Sequence, residues 1–196
     1  MVVNKDELIK SPLNYTGGKF KLLPQILPLF PDNINTFIDL FAGGLDVSLN
    51  VKANKIIAND ILSEVMELME YLISNKYEDI IKEVTSIIRE YNLSETNING
   101  YAYYNTTSNK GVGNFNKKSY LKLRDKYNKG QRNPMFFYTM IIFSFNNMIR
   151  FNNEHNFNVA VNKRDFNNNL RMKLKKMLDK NIKNIRFFNR SFEDLK

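Results

Sequence analysis

The spacing of apolar residues changes twice along this chain, and each change marks a change of architecture. Two short runs, Asn35-Thr36-Phe37-Ile38-Asp39-Leu40-Phe41 and Lys55-Ile56-Ile57-Ala58-Asn59-Asp60, are apolar and rich in β-branched or aromatic residues, which predicts buried strands. Helical spacing surrounds them. Residues 19–30 follow a glycine pair and end at Pro28 and Pro31, residues 45–53 follow the break Ala42-Gly43-Gly44, and residues 62–74 and 77–91 carry amphipathic repeats. Strand, helix, strand, helix is how a parallel α/β sheet begins.

The pattern then shifts. Residues 92–116 are polar and rich in Asn, Thr, Ser, Tyr and Gly, which predicts a long loop of the kind that carries function or moves. Residues 117–128 and 135–148 predict helices, 150–169 are Asn-rich and irregular, 171–179 form a basic helix, and 182–188 predict a third strand. The α/β pattern is therefore interrupted and resumed, with no internal repeat. The expected fold is α/β with a discontinuous sheet domain, residues 1–62 plus 166–196, and a mostly helical insertion, residues 63–165.

Composition narrows the function classes. An apolar fraction of 43% over 196 residues is enough for a proper core. The chain has no Cys, which excludes disulfides, zinc-thiolate sites and thiol nucleophiles, and no metal site is expected. The start, Met1-Val2-Val3-Asn4-Lys5-Asp6-Glu7, has no apolar signal segment. No apolar run approaches the roughly 20 residues needed to span a bilayer. The longest, residues 134–145, predicts a buried helix. The expectation is a soluble intracellular protein with no membrane partner.

Charge is segregated. Residues 1–109 carry 9 Lys/Arg and 14 Asp/Glu, whereas residues 110–196 carry 20 Lys/Arg and 6 Asp/Glu. A basic half of this kind fits a polyanion, with nucleic acid first, because Lys and Arg that neutralise phosphates supply most non-specific affinity. Codon bias towards Lys, Asn and Ile also explains the Lys count, though not the segregation.

Three segments carry candidate chemistry. In Asp39-Leu40-Phe41-Ala42-Gly43-Gly44 a strand runs into a glycine turn, where a backbone can approach a ligand closely, and Asp60 ends the next strand 21 residues later, a spacing that fits a ribose-binding acid. The pair fits a nucleoside cofactor, or equally a tight βα turn with a capping Asp; no G-x-G-x-x-G occurs to indicate a dinucleotide. Asn14-Tyr15-Thr16-Gly17-Gly18-Lys19 places a glycine pair before a helix start, which could hold an anion or simply begin a helix. Asn146-Asn147-Met148-Ile149-Arg150-Phe151-Asn152, continuing to Lys163-Arg164, has the residue types that read guanine, adenine and the thymine methyl in a major groove; ten Asn between 146 and 169 fit an Asn-rich turn as well. His155, the single histidine, is expected to be a solvated loop residue.

Together these residues resemble the Dam-type (class D12) DNA adenine methyltransferases, in particular their phage T-even branch, over essentially the whole chain. Tyr15-Thr16-Gly17-Gly18-Lys19 with Leu22-Leu23-Pro24 is similar to the family's N-terminal cofactor motif, and Phe37-Ile38-Asp39-Leu40-Phe41-Ala42-Gly43-Gly44 with Val47-Ser48-Leu49-Asn50 to its glycine motif. Ala58-Asn59-Asp60-Ile61 resembles its acidic motif, Asn147-Met148-Ile149-Arg150-Phe151-Asn152 its base-contacting segment, and Phe188-Asn189-Arg190-Ser191-Phe192 the segment flanking the cofactor's adenine.

The resemblance implies a Rossmann-like S-adenosylmethionine-dependent methyltransferase sheet, incomplete here, that methylates the exocyclic amino group of adenine in double-stranded DNA, typically within GATC, as in restriction-modification. It implies cofactor contacts from Tyr15, Lys19, Asp39, Phe41, Gly43, Gly44, Asp60, Ser191 and Phe192, with Lys19 between cofactor and substrate as the one residue with a catalytic prospect. It implies DNA contacts from Asn146, Met148, Arg150, Asn152 and Arg164, a target-recognition role for residues 63–165, and the cytoplasm of a bacterium, archaeon or phage-infected host as the location. Two departures stand out. Ala160-Val161-Asn162 replaces the family's Pro-Phe-Gly, and the catalytic Asp-Pro-Pro-Tyr, expected soon after Phe192, is absent. The chain is then expected to be truncated before that motif and inactive alone: a fragment, a truncated gene product, or one subunit completed by a second chain carrying the motif. The alternative is a non-catalytic DNA-binding protein.

Overall fold

In the computed structural model, residues 4–194 are described; residues 1–3 and 195–196, which the expected domain ranges include, lie outside them. Among the described residues three strands form one parallel sheet in the order β1 (Thr36–Asp39), β2 (Lys55–Asn59), β3 (Ile185–Phe188). The register sets Asp39 beside Ala58 and Asn59 beside Phe188, so all three strands deliver their carboxyl ends to one side. The three strands sit within the predicted runs, trimmed at their ends.

Among the described residues seven α-helices accompany the sheet: α1 (Leu23–Ile26), α2 (Ser63–Ser74), α3 (Tyr77–Glu90), α4 (Thr96–Asn99), α5 (Gly113–Asn128), α6 (Pro134–Phe143) and α7 (Asn168–Asp179). Residues 19–30 do not form the one helix expected. Pro24 and Pro28 divide the segment into a 3-10 turn, the single turn α1 and another 3-10 turn, because a proline supplies no N–H to continue the ladder. The helix expected over 45–53 is absent as well. Leu49 and Val51 donate four residues back to Leu45 and Val47, and the helical pattern goes no further. The 92–116 loop is shorter than expected, since α4, a 3-10 turn at Ala102–Tyr104 and the start of α5 lie within it.

The chain divides into two compact units, residues 1–75 with 173–196, and residues 76–172. The boundaries differ from the 62/63 and 165/166 expected. Helix α2 belongs with the sheet because it buries Val65, Met66, Leu68, Met69 and Leu72 and packs on β3. The sheet unit also ties its distant ends together: the Lys180 and Lys176 ammonium groups donate to the Leu49 and Asp6 carbonyls. The helical unit is centred on α6, whose residues from Met135 to Phe143 are all buried, against α3 and α5. A helix apolar all round needs partners on every side. Among the described residues no helix is long and apolar enough to cross a membrane.

Candidate functional site

The first candidate site lies where β1 and β2 end. Asp39 is the last residue of β1 and Asp60 follows the last residue of β2, so the two acids expected to cooperate sit on neighbouring strands. Between them the chain turns through Gly43 (φ 47°) and Leu45 (φ 68°). A left-handed leucine is strained, and it is held there by complete burial. The Asp60 carboxylate accepts from the Gly43 N–H at 2.8 Å and from the Leu62 N–H at 3.1 Å, bracing the glycine turn against β2. Gly43 is required because a Cβ there would stand 2.8 Å from the Tyr15 ring, which packs directly on the turn.

A third acid, Asp46, works from behind. Its carboxylate accepts from the Ser11 N–H at 3.3 Å and the Phe20 N–H at 3.1 Å, and a Cβ on Gly18 would come within 2.8 Å of it. Asn50 both accepts from and donates to the backbone of Ile9, at 2.7 Å each way. These bonds clasp the 9–20 segment, and with it Tyr15 and Lys19, beside the turn. They also explain why residues 45–53 are not a helix: their side chains and backbone serve the N-terminal segment instead. Lys19 is exposed and its ammonium donates to the Gly17 carbonyl at 2.8 Å.

The electrostatics follow from this crowding. Burial raises the Asp39 carboxyl above its ordinary value; the Ser48 hydroxyl, donating at 2.6 Å, opposes the shift, and the charges of Asp60 and Asp46 add to it. Burial, then the Asp60 charge, raises the Tyr15 hydroxyl too. Three carboxylates near one turn favour a cationic group. Beside them Phe41 and Phe192 lie in tilted contact, ring centres 5.5 Å apart, and stay 71% and 54% exposed, an apolar platform that a flat ring could cover. Ser191, half-buried, precedes Phe192 in this segment. Asn59, which the sequence did not single out, joins the two loops: its amide donates to the carbonyls of Leu40 and Arg190 and accepts from the Arg190 N–H. These features fit a ligand that combines a nucleoside with positive charge, as S-adenosylmethionine does.

A cavity of about 690 Å³ lies at the opposite, amino end of the strands, where Lys52, Lys180 and Asn184 are among its lining. The carboxyl ends of the strands are the stronger candidate, because ligands of open α/β sheets bind beyond the carboxyl ends of strands.

The second candidate site belongs to the helical unit. Helix α6 stops at Ser144, and Asn146 and Asn147 both take left-handed angles, φ 53° and 52°. The Asn147 amide donates back to the carbonyls of Ile141 and Ile142, capping the helix end, and Met148 is half-buried. Residues 150–158 form a tight hairpin closed by the Phe151–Phe157 bridge. The Asn152 side-chain oxygen accepts from the Glu154 and Asn156 N–H groups, so it shapes the hairpin tip. Arg150 and Arg164 are exposed; the Arg164 guanidinium donates to the Tyr101 hydroxyl at 3.3 Å. His155 is exposed, as expected, and its ring stacks on Phe151 at 4.7 Å.

Below this surface the buried Asp165 accepts from the Ser94 hydroxyl and from both the N–H and hydroxyl of Thr96, while the buried Asn116 binds Ser94 in turn. This polar network was not foreseen from the sequence. Residues 110–172 carry 12 Lys/Arg against 3 Asp/Glu, and on α5 Lys117, Lys118, Lys122 and Lys126 are exposed.

Comparison with known sequences gives the family. The family described as D12 class N6 adenine-specific DNA methyltransferase matches residues 15–196. The Type II methyltransferase M.FokI of Planomicrobium okeanokoites is 44% identical over 150 residues, which is 76% of this chain and 20% of that protein. The modification methylase StsI of Streptococcus sanguinis is 39% identical over 175 residues, 88% of this chain and 24% of that protein. The Type II methyltransferase M1.LlaDCHI of Lactococcus lactis subsp. cremoris is 30% identical over 146 residues, 74% of this chain and 45% of that protein. The chain thus spans between about a fifth and under a half of the length of these relatives.

Proposed function

This chain belongs to the D12 class of N6 adenine-specific DNA methyltransferases, and on that premise we propose that it binds S-adenosylmethionine at the strand-end cleft and double-stranded DNA through the helical unit, as part of a site-specific adenine methyltransferase. The observation that carries the reading is the convergence of Asp39, Asp60 and the Tyr15-backed glycine turn at the carboxyl ends of adjacent parallel strands. We assign the chain to the Dam-like branch of T-even phages, with GATC as the target; Ala160-Val161-Asn162 is where the base preference would depart from that branch.

When bound, S-adenosylmethionine supplies an electrophilic methyl group on a sulfonium. The residues of this chain do the binding and orienting. Asp39 would set a negative field toward the cofactor's cationic end, Asp60 would hold the ribose beside the Gly43-Gly44 turn that it braces, and Phe41 with Phe192 would cover the adenine face. Lys19, at the end of the N-terminal cofactor motif, would lie between cofactor and substrate, and Met148, Arg150 and Arg164 would contact base edges. The adenine amino group is a weak nucleophile, so its lone pair must be freed by hydrogen-bond acceptors after the base leaves the stack. No Asp-Pro-Pro-Tyr occurs among these residues to supply them. On its outer side β1 has no strand partner among the described residues, and on one face of this edge strand Ile38 is 52% exposed. Both observations support completion by a further segment or a second chain that carries the acceptors.

The test has two arms. Isothermal titration with S-adenosylmethionine is expected to show one saturable site; no heat of binding would remove the cofactor half of the reading. Filter binding of a GATC duplex across a salt series is expected to show log affinity falling steeply with log salt, and a flat series would remove the DNA half.

A further inference from the structure

We infer that Asn158 is the positioning residue that turns Arg150 into a fixed guanine-reading fork; this rests on the proposed DNA-reading role of Arg150. A guanidinium offers two edges that can each donate a pair of hydrogen bonds, the side edge of Nε with Nη2 and the end edge of Nη1 with Nη2. Here one residue occupies the whole side edge. Arg150 Nε donates to the Asn158 side-chain oxygen at 2.9 Å, and Nη2 donates to the Asn158 carbonyl at 3.2 Å. The end edge has no partner among the described residues. Two parallel donors are what the O6 and N7 acceptors of guanine require in a major groove.

Asn158 is a firm support because the arm of the hairpin that carries it is fastened to α5. Asn128 grips Phe157 through both backbone groups, accepting from its N–H at 2.9 Å and donating to its carbonyl at 3.1 Å. The Tyr120 hydroxyl donates to the Val159 carbonyl at 2.9 Å. Phe157 is buried and packs against Phe137 and Phe151. The Asn158 N–H also donates to the Arg150 carbonyl at 3.1 Å, so the two residues face each other across the base of the hairpin. A free arginine would lose most of its rotamer freedom on reading a base; here that freedom is already lost before DNA arrives. Arg164, with its single 3.3 Å contact to Tyr101, has no such support.

The experiment starts from duplexes that the chain enriches out of a randomised pool. Each guanine of the enriched sequence is then replaced by 7-deazaguanine, which lacks the N7 acceptor, and affinities are read by fluorescence anisotropy. The chain is expected to prefer guanine over 7-deazaguanine at one position by about tenfold. Arg150→Ala is expected to abolish that preference. Asn158→Leu, which removes the side-chain acceptor at similar volume, is expected to reduce it to within about threefold with an unchanged salt slope, while Asn158→Asp, which keeps an acceptor, retains it. Should Asn158→Leu fail to fold by circular dichroism, Asn158→Ser takes its place. Loss of the preference in Arg150→Ala but not in the Asn158 variants would overturn the inference and leave DNA reading by Arg150 intact. Loss in Asn158→Asp as well would make Asn158 merely structural and overturn it too. A preference that survives Arg150→Ala, or no enriched sequence at all, would instead overturn the reading on which it rests.

Discussion

In the sheet unit the candidate residues are carboxylates held by backbone N–H groups: Asp60 by Gly43 and Leu62, Asp46 by Ser11 and Phe20. In the helical unit they are cations on a hairpin whose shape is set by asparagine side chains, Asn128, Asn152 and Asn158. The first arrangement would fix where the proposed small cationic ligand rests, because strand ends and a glycine turn leave little play. The second presents positive charge outward on a stiff projection, as a large polyanion requires. Each unit therefore uses its polar groups in the way its proposed ligand demands, and substitutions should separate the two.

The largest separation is expected from Asp165→Ala. The buried carboxylate accepts three hydrogen bonds, and their loss is expected to destabilise the helical unit by at least about 3 kcal/mol. Hydrogen exchange should show the loss of protection in residues 94–128, with DNA affinity falling much more than cofactor affinity. Equal losses in both would break the comparison. Asp60→Ala is expected to act the other way. It removes the brace of the glycine turn and should weaken S-adenosylmethionine binding by roughly 10–100-fold in a titration, with DNA affinity nearly unchanged.

The third test uses pH. Burial and neighbouring acids raise the Asp39 carboxyl, so it gains a proton at higher pH than an ordinary aspartate does. The charged form attracts the cofactor's cationic end. Affinity should be full at neutral pH and fall as pH drops through this raised range, and Asp39→Asn should flatten the profile. A wild-type profile flat down to pH values near the ordinary carboxylate range would remove Asp39 from the site. The smallest effect is expected from Tyr138→Phe. The Tyr138 hydroxyl is fully buried without a hydrogen-bond partner among the described residues, so its removal should raise stability by up to about 1 kcal/mol in a thermal melt.

Much of the sheet unit was legible because its signals are local. The runs before Asp39 and Asp60 have strand chemistry, and Gly43-Gly44 has turn chemistry, within a few residues of each other. What stayed hidden depends on distant partners. Asp46 and Asn50 bind residues 26 to 41 positions away, and Asn59 reaches across 131 positions to Arg190. No helical pattern could reveal that residues 45–53 would give up helix for those bonds. In the helical unit, Arg150 stood out by its motif, whereas Asn158 was one more Asn in a segment with ten. Only the hairpin brings its acceptors to one edge of the guanidinium.

Hydrogen exchange measured with and without saturating S-adenosylhomocysteine shows which unit takes the cofactor. New protection is expected in residues 39–45, 58–62 and 188–192, the three strand ends, and none in 76–172. Protection confined to the amino-end cavity around Lys52 and Lys180, or to the helical unit, would contradict the proposed cofactor site.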